Sequence, residues 1–214
     1  MNNQIKIGID FSLISPAICI QKETGEYKFV SFFDDYGKDW KSSKSKKFMY
    51  HQHLSELISL FPYTREIDNS DYCMEQRTKM KSAKMIADKI TEFLKNEIGD
   101  ATPIIGIEGF SYGSISSSTL DLAMFNSFLR LNLLNTFGDE CIKIISPTEG
   151  KKKLSGKGNA NKDLMIDSFL SNRLNDDNLI NNPFWIFCKG NELDYKNIKP
   201  IDDLVDSYAI LKSI

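Results

Sequence analysis

Ile5, Ile7 and Ile9 alternate with Lys6, Gly8 and Asp10, the two-residue period of a half-buried strand. This alternation puts Asp10 on the face opposite the isoleucines, outside the core, where the strand is about to turn. FSLISP reads as that turn, and Ala17 to Gln21 as a second strand returning beside the first. The turn signal Glu23-Thr24-Gly25-Glu26 leads into a third strand, Tyr27 to Phe33, so the chain opens as an antiparallel meander. From Ser45 to Phe61 the apolar spacing becomes helical through Phe48, Met49, Leu54, Leu57, Ile58 and Phe61, with Pro62 as the stop. Lys79 to Ile98 repeats that spacing, and Gly99 ends it.

Further along, a buried-looking strand ends in Glu108 and passes into a Gly/Ser-rich turn. Ser118 and Asp121 resemble a capping box, and Leu120 to Phe137 predicts a strongly apolar helix that packs on the sheet or on a second subunit. Cys141 to Ile145 predicts another strand. Pro147 then opens a basic segment, and Ala160 to Leu170 reads as a helix. Asp176 to Lys199 is polar and rich in asparagine. In PIDDLVDSYAILKSI, Pro200 suits the first turn of a terminal helix with Ile201, Leu204, Val205, Tyr208 and Leu211 on one face.

A chain of 214 residues, 41% hydrophobic and 26% charged, is long enough for one sizeable core, and a single domain over 1–214 is expected. No apolar run approaches the ~20 residues of a membrane span, and the chain enters its first strand directly. A cytoplasmic address follows as the expectation. The four cysteines are scattered, which argues for buried thiols rather than a disulfide framework or zinc site. With His51 and His53 the only histidines, metal chemistry here must rest on carboxylates, and so on hard ions.

Charge is uneven. Lys38 to Lys47, Arg77 to Lys84 and Lys151 to Lys162 carry net +4, +4 and +5 in a chain whose formal charge is −2. Such runs suit contacts to a phosphate backbone, and they also suit solvated helix faces. In the last run, Gly156 and Gly158 permit a loop whose amides face phosphate, beside Lys151, Lys152, Lys153 and Lys157. The spacing of a Walker loop is absent. Phe110 and Tyr112 sit in the turn after Glu108, placed to stack on exposed bases or to pack under the loop. At about 100° per residue, Asp203 and Asp206 lie about 60° apart on the outward side of the terminal helix, with Asp202 about 40° from Asp206. Three like charges on one turn repel unless a cation binds, although acids at a helix start also compensate its dipole.

Taken together, GIDFS, GIEGFSYGS, GKGNANK and DDLVDS resemble, in order and spacing, the RuvC-like Holliday junction resolvases, the bacteriophage forms above all. The resemblance runs from Lys6 to Leu211, with 34–97 and 176–199 poorly matched. It implies the ribonuclease H-like α/β fold, a five-stranded mixed sheet flanked by helices. It implies a homodimer that resolves four-way DNA junctions, with Asp10, Glu108, Asp203 and Asp206 as catalytic acids and metal ligands. Lys162 matches the catalytic basic residue of the family's glycine-containing loop, and Asp202 is the alternative to Asp203. The family's aromatic wedge falls here near Ser111, a departure that leaves Phe110 or Tyr112 for the part. The expected chemistry is hydrolysis of a phosphodiester with two Mg²⁺ ions per site, Mn²⁺ substituting. A broader branched-DNA or flap endonuclease, and a non-catalytic junction-binding protein, are the alternatives. An actin-like kinase is disfavoured because FSLISP lacks phosphate-cradling glycines.

Overall fold

A computed structural model describes residues 4–35, 53–110, 117–191 and 199–214. A six-stranded mixed sheet runs in the order β4-β3-β2-β1-β5-β6. Strands β1 (Gln4–Asp10), β2 (Ala17–Gln21) and β3 (Tyr27–Asp34) form the antiparallel meander expected from their alternation. Strand β5 (Thr102–Glu108) lies parallel to β1, and β6 (Ile142–Ile145) parallel to β5.

The sixth strand is a correction to the sequence reading. Ser59–Tyr63, expected to end a helix at Phe61, is instead β4, parallel to β3. A short apolar run does not distinguish the two states, and Pro62 is tolerated because β4 is an edge strand. The first part of that expected helix, 45–52, and the basic run 38–47 lie outside the described residues.

Both faces of the sheet are covered. Helix α1 (Tyr72–Ile98) begins where Asp71 accepts a hydrogen bond from the Met74 amide, seven residues before the apolar periodicity suggests. With α2 (Ser117–Phe137) it buries Ile7, Ile9, Ile86, Ile90, Ile105, Ile107 and Leu129 on one face. Asp121, read as half of a capping box, pairs instead with Lys79 at 3.0 Å. Cys141 falls in a 3-10 turn, and β6 starts one residue later.

Against the other face lie α3 (Pro147–Ser155), α4 (Lys162–Leu170), α5 (Asp177–Ile180), α6 (Pro183–Gly190) and α7 (Ile201–Leu211). Their core includes Cys19, Phe29, Phe169, Phe184, Leu204 and Tyr208. A polar knot closes this layer: Asp176 Oδ2 accepts from Tyr27 Oη at 2.5 Å, and from Tyr208 Oη and Lys212 Nζ, each at 2.9 Å. Cys19, Cys141 and Cys188 are buried thiols as expected, but Cys73 is exposed.

Helix α3 takes up the first part of the basic segment, ahead of Gly156 and Gly158. Ser146 caps it by accepting from the Glu149 amide, and Pro147 occupies its first turn, so Ser-Pro-Thr-Glu is a helix-start signal that the lysines mask.

Candidate active site

Glycine decides how the site is built. A Cβ at Gly8 would lie 2.2 Å from the Ser207 carbonyl oxygen and 2.4 Å from the Leu211 nitrogen, so α7 rests directly on β1. At Gly106 the nearest atoms would be Ile210 Cγ2 and Ile214 Cγ2, both at 3.1 Å. Gly8 and Gly106 are register partners, as are Ile9 and Ile107. The following residues, Asp10 and Glu108, therefore end neighbouring strands side by side, and α7 brings its acids onto them.

Two expectations are overturned by this packing. Asp10 is buried rather than outside the core, and Asp202 and Asp203 are buried rather than facing solvent. The face opposite the isoleucines of β1 is not open to water because the terminal helix covers it, and nearly every residue of that helix is buried.

The crowding raises the proton affinity of Asp10, Glu108, Asp203 and Asp206. Burial, then the charges of Asp203, Glu108 and Asp206, hold the Asp10 carboxyl well above the ordinary range. Burial together with Glu108, Asp203 and Asp202 pushes Asp206 up to about 7. Glu108 is raised chiefly by burial, although Lys151 and a hydrogen bond with Asp10 counter it. Asp203 is raised by burial against the opposing charge of Lys199. The four acids thus feel one another across a shared space, which neither local sequence nor a helix start would arrange.

Lysines answer part of that charge. Lys162, on the first turn of α4, pairs with Asp202 Oδ2. Lys199 pairs with Asp203 Oδ1 and lies 3.4 Å from Asp202 Oδ2. Ser15 donates to Asp203 Oδ2, its position set by a turn in which Ser12 Oγ accepts from the Ser15 amide at 3.0 Å. Neither Lys199 nor Ser15 stands out in the sequence, since each depends on where α7 comes to lie. Arg130 of α2 carries no mark in the sequence either. Its guanidinium donates to the Glu108 carbonyl oxygen at 2.8 Å and sits over the Phe110 ring, 4.5 Å from the centroid.

Among the described residues no three acidic, histidine or cysteine groups stand as a ready-made metal cage, and lysines engage Asp202 and Asp203. The donor set still fits a hard cation. All its members are carboxylates, their mutual repulsion favours a bound positive charge, and Asp202 Oδ1 is buried without a hydrogen-bond partner. Asp10, Glu108, Asp203 and Asp206 are the residues able to hold such an ion, with Asp202 beside them.

The expected DNA-contacting residues divide. Lys152, Lys153 and Lys157 are exposed and the described residues offer them no ion pair, whereas Lys151 is partly exposed and its charge acts on Glu108. In contrast, Lys79, Lys81 and Lys84 of the middle basic run pair with Glu75, Glu66 and Asp88. Gly156 does not turn its amide to a ligand: it adopts φ 78° as the end of α3, and its N–H donates to the Lys152 carbonyl at 2.9 Å. A Cβ at Gly158 would meet Thr148 Cγ2 at 2.4 Å, so close packing explains that glycine. Helix α4 starts at Lys162, capped by Asn161, rather than at Ala160. Tyr112 and the wedge position Ser111 lie outside the described residues.

The order of strands, the acids on β1, β5 and the terminal helix, and helices on both faces define a ribonuclease H-like α/β fold. The solved structure "T. thermophilus RuvC in complex with Holliday junction substrate" is similar over 98% of this chain and 91% of that one, at 11% identity and a TM-score of 0.50. The yeast mitochondrial Holliday junction resolvase Ydc2 is similar over 99% of this chain and 78% of that one, at 15% identity and a TM-score of 0.50. At such identities the likeness is one of fold. No protein-family model matches the chain, and no curated protein matches it.

Proposed function

We propose that this chain is a metal-dependent endonuclease that resolves four-way DNA junctions as a homodimer. The observation that carries the reading is the convergence of Asp10, Glu108, Asp203 and Asp206 from three separate elements, made possible by the glycine contact between β1 and α7. The similarity of the fold to two junction resolvases supports the choice of substrate.

In this reading the reaction adds water to a backbone phosphorus and breaks its bond to the leaving oxygen. Asp10, Glu108, Asp203 and Asp206 would hold divalent metal, Mg²⁺ or Mn²⁺, which when bound would activate water and stabilise developing charge. Asp10 and Glu108 come from rigid strand ends, so their oxygens are held in place before substrate arrives. Asp203 and Asp206 approach from the helix, and Ser15 fixes the Asp203 carboxylate by its hydrogen bond. Lys162 offsets charge next to these acids. Lys151, Lys152, Lys153 and Lys157 take the phosphates of the flanking backbone, where their charge steers without reading sequence.

Helix α2 supports the dimer. Its Phe125, Leu129 and Leu133 are buried toward the sheet, while Leu120, Leu131 and Leu134 remain exposed, as does Ile144 of β6. Leu120 and Leu134 stand two heptads apart, and Leu131 to Leu134 is the short step of the same seam, the spacing by which helices pair. A second copy of this chain, presenting the same stripe, is the occupant that a twofold substrate requires.

Four-way junction, flap, duplex and single strand, each incubated with Mg²⁺ and with chelator, test the reading. It requires cutting of the junction, in two opposing strands, only with metal. Preferential cutting of flaps would move the substrate to branched DNA more broadly, and binding without cutting would leave a junction-binding protein.

A further inference from the structure

Lys199 stands just before α7, next to the Pro200 that opens the helix, and turns its side chain back over the first turn. Its ammonium contacts Asp203 Oδ1 and lies 3.4 Å from Asp202 Oδ2. Because Ser15 engages Asp203 Oδ2, both oxygens of Asp203 already have protein partners. The pair is asymmetric: the Lys199 side chain is 37% exposed, against 4% for Asp203. The lysine can therefore swing toward solvent, whereas the acid is fixed on a buried helix. Asp202 Oδ1 meanwhile is buried with no partner, so the lysine leaves part of the cluster's demand for positive charge unmet.

We propose that Lys199 is a tethered cation that competes with the divalent ion, holding the helix acids together in the metal-free protein and leaving when metal binds through Asp203. This rests on the nuclease reading above, and it assigns Lys199 a positioning role rather than a catalytic one. A long side chain with three rotatable donors suits such exchange. A merely structural lysine would, on removal, weaken both the fold and the metal site. A competing lysine, on removal, weakens the metal-free fold and strengthens metal binding.

The test is calorimetric titration of Mn²⁺ into the full chain without DNA, for the parent, Lys199→Met and Lys199→Arg, together with melting of each in chelator. Lys199→Met keeps the apolar stem and removes the charge. It should bind Mn²⁺ about tenfold more tightly, a modest share of the interaction between unit charges a few ångström apart, and should melt lower than the parent in chelator. Lys199→Arg should bind Mn²⁺ no more tightly than the parent. Equal or weaker binding by Lys199→Met, or an undiminished melting temperature in chelator, overturns the proposal, and Lys199→Gln gives the same readouts should the methionine variant not fold. Uptake of Mn²⁺ by none of the proteins overturns the nuclease reading itself, and this inference with it, a result distinct from equal uptake by all.

Discussion

Asp206 shows most directly how the acid cluster opposes folding. Its carboxyl is pushed up to about 7 in the folded chain by burial and by Glu108, Asp203 and Asp202, against an unfolded value of about 3.9. Between those values the folded state keeps a proton that the unfolded state has released, so stability falls as pH rises through that window. Without metal, Asp206→Asn should flatten this decline and make the protein more stable than the parent near neutral pH. Urea denaturation in chelator at a series of pH values measures it, and a steeper decline in the variant would contradict the origin assigned to the shift. Asp10 and Glu108 are legible in the sequence because strand alternation and adjacent glycines mark them. The burial of Asp202 and Asp203 is not, since a helical wheel assigns its polar side to water and carries no sign that other carboxylates face it.

At the scale of elements, the contact between α7 and β1 fixes the site. A methyl group at Gly8 would collide with helix backbone rather than with a side chain able to move. Gly8→Ala should therefore destabilise the fold by about 1–3 kcal/mol, as overpacking does, and should impair cleavage more than DNA binding by lifting the helix acids. Denaturation and gel-shift measurements on one preparation check this, and unaltered stability would contradict so close an approach. Helix α3 makes a different prediction. Neutralising Lys151, Lys152 and Lys153 together should weaken binding to all junction sequences alike and flatten the salt dependence by about 0.9 for each duplex phosphate no longer neutralised. An unchanged slope in junction titrations would remove α3 from the DNA surface. The strands of the meander and α7 are readable from periodicity. Strand β4 and helix α3 are not: the first is a five-residue apolar run at a sheet edge, and the second begins at a Ser-Pro-Thr-Glu signal followed at once by lysines. Lys199 enters the site only through the packing of α7, which no local pattern encodes.

For the whole molecule, two helical layers cover the sheet, and the acids gather where β1, β5 and α7 meet. Among the described residues no helix is long and apolar enough to cross a membrane. The exposed leucines of α2 lie apart from the residues by which that helix packs on the sheet, and the proposed homodimer would use them. Leu131→Glu with Leu134→Glu should halve the mass seen by light scattering and abolish paired cutting, and an unchanged mass would place any dimer contact elsewhere. Cleavage of an end-labelled four-way junction by the parent and by Asp10→Asn, each with Mg²⁺ and with chelator, bears most directly on the nuclease assignment. Removing one negative charge from the strand end should leave the basic surface intact, so both proteins should shift the junction in a gel, while only the parent with Mg²⁺ cuts it, at opposing positions. An intact junction in the parent lane, or equal cutting by Asp10→Asn, would contradict the assignment of this carboxylate cluster as a nuclease site.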